Sequence, residues 1–586
     1  MAGFPASAAA LGFAAALAFG AAWADDSPAS APPMPLSNTA PAAKPATPAQ
    51  PADDETPPDS SIVVKPLGDI DGPAVGLLND TNGGLGRHMW AGSEHGAIED
   101  MLSRIPAGSN SPAVRDLARR LLLTTADSPI GEKHRSLLTI RLEELLDAGM
   151  VAEAGALASM TTLKDDPDFA QVQAEALLYA QRKEDLCGPL TAMRLTSAQP
   201  FWIELRAYCY AVNEDDPAYE LTRAAMTAQS LDDKAFDMLL NDVIGGQSKN
   251  PGEIADPNPL DVFLMQQANV PVSGFLAVKL GIPADMFAMR EARNPPDERL
   301  AVADRAMKAG AAATYDLIEV AKAQKFSADQ LAHPTDAIAK MPFLQSEMLL
   351  YQAIAEAKDA ATKARLLQAA LMLGDKVGLL GVAAGMNADA IATLAPDGEL
   401  HDMAPVMARA AMLTGKPDVA AGWIATLDPD ADKAEVSVLT ADLDLIATDP
   451  ARDAKAQAAL QWLAGQNDAN AALVLGVYDA AGATVPPDAQ SAAAGLMVQN
   501  WPGRRPAPAQ LERLNAASGN PERSGEAVLT VLDIIGAKGP GDLAPDVTVS
   551  LLHALDHEGL SDVARRLGIE ALLTYRVPQP AQAAAK

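Results

Sequence analysis

His553 and His557 stand four residues apart, with Asp556 and Glu558 beside them. On a helix that spacing puts two imidazoles on one face, where they could hold a metal ion. The His-Glu-x-x-His order is absent and no third ligand is identifiable, so the pair reads rather as surface histidines on an acidic helix, and no metal site is assigned. The other five histidines form no Ser-His-Asp arrangement. Gly83-Gly84-Leu85-Gly86 precedes a helix expected from about Ser93. Glycines ahead of a helix can cradle phosphate. Here no buried strand precedes them and no Lys-Ser/Thr follows, so both nucleotide fingerprints fail. The loop is expected instead to let Met89 and Trp90 tuck onto the first helix. Cys187 and Cys209 lie 22 residues apart. In an exported protein two cysteines are most simply one disulfide, the alternative being two buried thiols. A loop of that size contributes about 3 kcal/mol by the chain-entropy estimate. Without Cys-x-x-Cys, no redox motif is expected.

Gly495-Leu496-Met497-Val498-Gln499 resembles the Gly-Leu-Met-Gln stretch of lytic transglycosylases. Their catalytic acid is an upstream Glu, yet residues 451–500 contain none, and Val498 interrupts the match. Carboxylate pairs suited to glycosidase chemistry cannot be singled out among 76 acidic residues. No catalytic residue and no cofactor is assigned.

The chain has 586 residues and a formal charge of −31. Hydrophobic residues make up 49% but aromatics only 4%, because roughly a fifth of the chain is alanine. So acidic a chain is not suited to nucleic acid or to an anionic membrane surface. Residues 1–24 carry no charge, residues 8–22 are apolar, and Ala22-Trp23-Ala24 fits the small-x-small rule of signal peptidase. We therefore expect a signal peptide cleaved after Ala24 and a periplasmic or secreted protein. The basic start of such a signal is missing, since the first Lys or Arg is Lys44, and an uncleaved anchor is the alternative. Residues 25–60 are mostly Pro, Ala, Ser and Asp and are expected to form a disordered linker. No later apolar run of spanning length is uninterrupted.

The elements that would position these residues are helices. From about Ser93 the apolar residues recur at helical spacing, as in Leu137-Ile140-Leu142-Leu145-Leu146, between short breaks of Gly, Pro and Asp. Gly149 with Ala154, Gly415 with Ala420 and Gly559 with Ala564 repeat one pattern: an apolar helix end, Gly, then Ala five residues on. The Gly can take the left-handed conformation that ends a helix, and the Ala admits close packing of the returning helix. Asn213 with Ala218 has the same spacing, Asn being next best for that conformation. Phe201-Trp202, Ala207-Tyr208, Asn213 and Ala218-Tyr219 resemble the helix–turn–helix unit of tetratricopeptide-like repeats.

That resemblance implies an all-α, irregular α-solenoid of antiparallel hairpins in two lobes, with irregular spacing between units. The expected parts are an irregular Gly-rich segment at 61–92, a first lobe at 93–250, a loop-rich connection at 251–296, a second lobe at 297–576 and a disordered tail at 577–586. Repeat grooves use aromatic anchors, so Trp202, Tyr208 and Tyr219 are the candidate residues for a protein partner, core packing being the other reading. The expected function is a scaffold or adaptor for proteins of the cell envelope. A cell-wall enzyme or its accessory factor is the first alternative, and a metal- or ligand-binding module is the second.

Overall fold

The structure, a computed structural model, describes residues 74–160, 166–188, 197–447 and 450–576. The expected signal, linker and tail lie outside these residues. The described residues are all-α, with three isolated bridges and no named strand among them.

Helix starts follow local chemistry. Asp166, Asp215 and Asp233 each accept a hydrogen bond from a backbone N–H of the first turn, and Pro occupies the first turn after Asp166 and Asp215. Helix ends follow the pattern of the sequence. Gly149, Gly415 and Gly559 have φ of 69°, 70° and 74°. In each turn the next N–H reaches back five residues: Met150 to Leu145, Lys416 to Ala411 and Leu560 to Leu555, at 2.8, 2.8 and 2.9 Å. Ala154, Ala420 and Ala564 are buried on the returning helices.

The fourth turn needs a correction. Asp215 N–H donates to the Tyr210 carbonyl at 3.0 Å, but the left-handed residue is Glu214, at φ 57°, and not Asn213. Helix Pro200–Val212 makes Asn213 its cap, and Asp215 must stay outside the helix to cap helix Asp216–Ala228. Only Glu214 is left to turn the chain.

Residues 251–296 also differ from expectation. They carry helices Pro259–Gln267, Gly274–Leu280 and Ile282–Arg290. Leu260, Phe263, Leu264, Ala277 and Met289 of these helices are buried. The Pro, Gly, Asn and Ser that read as loop are helix starts. The Asn258 side chain accepts from Leu260 N–H and that of Ser273 from Leu276 N–H.

The described residues belong to one compact unit. One continuous apolar core takes in Trp90, Leu122, Phe169, Tyr208, Phe263, Met307, Leu460 and Val531, so it does not divide at 251–296. A smaller core surrounds Trp423, from Leu350 to Leu443. Most helices pack on their sequence neighbours, but helix Pro112–Leu123 packs on helices Ser524–Ile535 and Ser561–Thr574. The first helices therefore meet the last. Gly92 N–H donates to Glu522 O at 2.8 Å and Gly525 N–H to Met89 O at 3.1 Å. The Ser93 hydroxyl donates to Glu526 at 2.8 Å. Arg120 pairs with Asp562, and Arg566 with Asp116, both at 2.7 Å.

Candidate functional site

The residues singled out by type fall into three places. Trp202 and Tyr208 lie on helix Pro200–Val212 and are only 5% and 1% exposed. Tyr208 meets the edge of Phe263 with ring centres 5.3 Å apart, and Trp202 does the same with Phe201 at 5.0 Å. Burial removes both from any partner surface: they join the hairpin to the core. Tyr219 is half-buried against the same core. Cys187 and Cys209 stand at disulfide distance with Cα atoms 5.3 Å apart, joining helix Lys183–Cys187 to helix Pro200–Val212. Glu204, on that second helix, faces Asp233, Asp237 and Asp261, and burial first, then those charges, pushes its carboxyl up to about 8.

His553 and His557 lie on helix Pro545–His557. His553 Nε2 is 3.7 Å from Asp479, on helix Ala469–Ala480. Among the described residues no group of three or more His, Cys, Asp or Glu side chains is placed to hold a metal ion.

His553 instead lines a groove of about 380 Å³. Its walls are helices Pro487–Met497 and Pro545–His557, and helix Ala469–Ala480 is its floor. Gly476, Ala493, Met497 and Val549 supply apolar surface, while Asp479, Gln490, Asp546, Ser550 and His553 supply polar atoms. The helices approach closely because Gly476 has no side chain; a Cβ there would stand 2.4 Å from Val549 Cγ2. Arg505 holds Asp546 with two hydrogen bonds of 2.8 Å. The Gly495–Gln499 stretch crosses one wall: Leu496 is buried, Met497 lines the groove, and Val498 is 86% exposed.

A second cleft, of about 520 Å³, opens where the first and last helices meet the middle of the chain. Arg104, Glu144, Asp147, Lys308 and Asp533 are its charged lining. Burial, then Asp147 and Glu143, push the Glu144 carboxyl up to about 8. Asp147 is raised as well, by burial and Glu143.

No family model matches the chain, and neither a curated protein nor a solved structure matches it. The reading of function therefore rests on the residues themselves.

Neither cleft was foreseen. The junction cleft gathers residues hundreds of positions apart and leaves no local signal. The groove does leave one: between Lys455 and Arg504 the chain has no basic residue at all. That gap in an otherwise mixed charge pattern was there to be noticed.

Proposed function

We propose that this is an exported helical-repeat protein, an irregular α-solenoid that acts as a scaffold or adaptor for proteins of the periplasm or cell envelope. The observation that carries this reading is the recurring hairpin turn at Gly149, Glu214, Gly415 and Gly559, combined with a main core that reaches from Met89 to Tyr575 beside a smaller one around Trp423. Such hairpins cannot bury their apolar faces alone and are stable when stacked. The contacts between first and last helices hold the stack rigid, and rigid surfaces bind with little ordering cost. The signal read at residues 1–24 would export this body, and the Pro/Ala linker would precede it as an extended segment.

The test is cross-linking in cells that express the full chain, followed by mass spectrometry. Reproducible cross-links from the surface of residues 74–576 to one or a few envelope proteins are expected. Absence of any protein partner, together with turnover of glycan or peptide by the purified protein, would overturn the reading.

The enzyme alternative has one observation in its favour, the junction cleft. A carboxyl such as Glu144, raised to about 8, keeps its proton near neutral pH, as a general acid must. Loss of cell-wall turnover on Glu144→Gln, with folding intact, would support that alternative; unchanged turnover would remove it.

A further inference from the structure

The groove beside His553 carries an inference of its own. Its three helices read ANAALVLGVYDA, PDAQSAAAGLM and PDVTVSLLHALDH. They hold Asp479, Asp488, Asp546 and Asp556, and no lysine or arginine. The cation at its edge, Arg505, is already bound to both oxygens of Asp546. Among the described residues Asp479 has no such partner in hydrogen-bond range; the His553 ring, 3.7 Å away, is its counterpart. Over Gly476, one turn before Asp479, the sulphur of Met497 and a methyl group of Val549 converge, and Ala493 and Ala494 line the same groove with small side chains. Val498, the residue after Met497, is 86% exposed.

The combination is specific in its chemistry. An apolar trough that ends at a carboxylate with no lysine or arginine partner suits a long aliphatic stem with a cationic head. Lysine and arginine lay such stems along apolar surface while the charge reaches a carboxylate. The groove's volume, about 380 Å³, is at the small end of binding pockets and large enough for such a side chain with its neighbours. Gln490 and Ser550 on opposite walls can bond to the main chain of an extended segment. No lysine or arginine of the groove's own helices competes for the aspartate, and His553 stands 3.7 Å from it.

We propose that the groove formed by helices Ala469–Ala480, Pro487–Met497 and Pro545–His557 docks a lysine- or arginine-bearing segment of a partner protein. The cationic head pairs with Asp479 and the stem lies along Met497 and Val549. The adaptor reading supplies the statement that the occupant is a protein; the groove's preference for a cation stands on its residues. The two fail separately, because cross-linking samples the whole surface, whereas the experiment below reports on this groove alone.

The full chain, labelled with ¹³C at its methionine methyl groups, is titrated with acetyl-Leu-Lys-Leu-Lys-Leu-amide. The Met497 signal is assigned by its loss in Met497→Leu. It is expected to move and saturate, and to stay still with the Leu-Glu-Leu-Glu-Leu counterpart. Asp479→Asn should weaken the lysine peptide at least fivefold. Ala494→Trp, an exposed wall position, should abolish the shift while the remaining methionine signals keep their places, which verifies folding. Equal response to both peptides, no movement of Met497, or unchanged affinity in Asp479→Asn would each overturn the proposal. So would saturation by spermidine with no response to the lysine peptide, since the occupant would then be a small polyamine and not a protein segment.

Discussion

The hairpin of residues 200–228 and the junction of the chain's two ends are held together in opposite ways. The hairpin is local. Its turn, its Asp215 cap and its aromatic packing involve residues within a few tens of positions, and Cys187–Cys209 closes a short loop. The junction joins residues more than 400 apart: Ser93 with Glu526, Asp116 with Arg566, Arg120 with Asp562. Local contacts form at small entropic cost, whereas the junction must close almost the entire chain. The junction is therefore the part that is hardest to form.

The largest effect should come from the junction. Trp90 is 3% exposed, and its ring lies where a Cβ on Gly525 would stand, 2.4 Å away. Removing a buried tryptophan costs about 3–5 kcal/mol. Trp90→Ala should lower stability by that amount in chemical denaturation. It should also raise hydrogen exchange across residues 74–130 and 520–576 together while leaving the hairpin unchanged. Exchange rising equally in helix Pro200–Val212 would erase the distinction between the two regions.

The same distinction explains what could be read from the sequence. The hairpin was legible because its determinants are neighbours: Asn213 and Ala218 sit in one short window and apolar spacing marks each helix, although the left-handed residue is Glu214, one position on. The cysteine pair was legible from its short separation and from the export signal expected at residues 1–24. Met89 and Trp90 were expected to be buried, but against the first helix alone; that Trp90 packs on Gly525 has no local trace. Residues 251–296 were misread because a helix start and a loop use the same Asn, Ser, Gly and Pro, and helices of seven to nine residues are too short to show their period. The aromatics Trp202 and Tyr208 were visible as a pattern, but a pattern does not say which face is covered. In the groove, Asp479 and His553 come from helices separated by more than 70 residues, so only the missing basic charge could have pointed to it.

The cysteine pair tests the local side. Cys187→Ser with Cys209→Ser should cost about 3 kcal/mol, by releasing the loop in the unfolded chain. Its signature should be loosened exchange in residues 183–212 with the junction protected. Alkylation before reduction should leave both sites unlabelled in the parent protein; free thiols there would remove this staple from the comparison.

Buried carboxyls act on both regions at once. Glu204 in the hairpin is held at about 8 and Glu570, which accepts from Ala113 N–H at the junction, at about 7, both mainly by burial. Asp442, 1% exposed, is raised to about 8 by burial and Glu435, against Arg409. In the unfolded chain such groups release their protons near 4 to 4.5. The folded state thus binds more protons between that range and pH 7 to 8. The contribution to stability is complete below the unfolded value and is lost as pH rises through the folded one. Melting temperature should therefore rise as pH falls from 8 to 5. Glu204→Gln and Glu570→Gln should each recover on the order of 2 kcal/mol at pH 8 and little at pH 5. Asp562 works the other way: burial raises it, but Arg120 and Arg566 outweigh that and hold it low, so its contribution fades only below the ordinary aspartate range. A stability flat between pH 5 and 8 that fell only below the ordinary aspartate range would mean that the ion pairs, not the buried acids, govern the junction.

The smallest effects separate the turns from one another. Gly559 at φ 74° has nothing within 4 Å of a Cβ position, so Gly559→Ala pays only for the left-handed backbone, about 1 kcal/mol. Gly149 has the same conformation, but a Cβ there would stand 2.7 Å from the Cβ of Ala311. Ala311 follows helix Pro296–Lys308, so this turn also receives the middle of the chain. Gly149→Ala should therefore cost clearly more than Gly559→Ala. Glu214 already bears the left-handed strain with a side chain, and Glu214→Gly should return about 0.5–1 kcal/mol once the added freedom of the unfolded glycine is counted. Thermal denaturation of the three variants gives the ordering. Equal losses at Gly149 and Gly559 would mean that the chain yields around Ala311, and that the turn at Gly149 is as local as the hairpin's own.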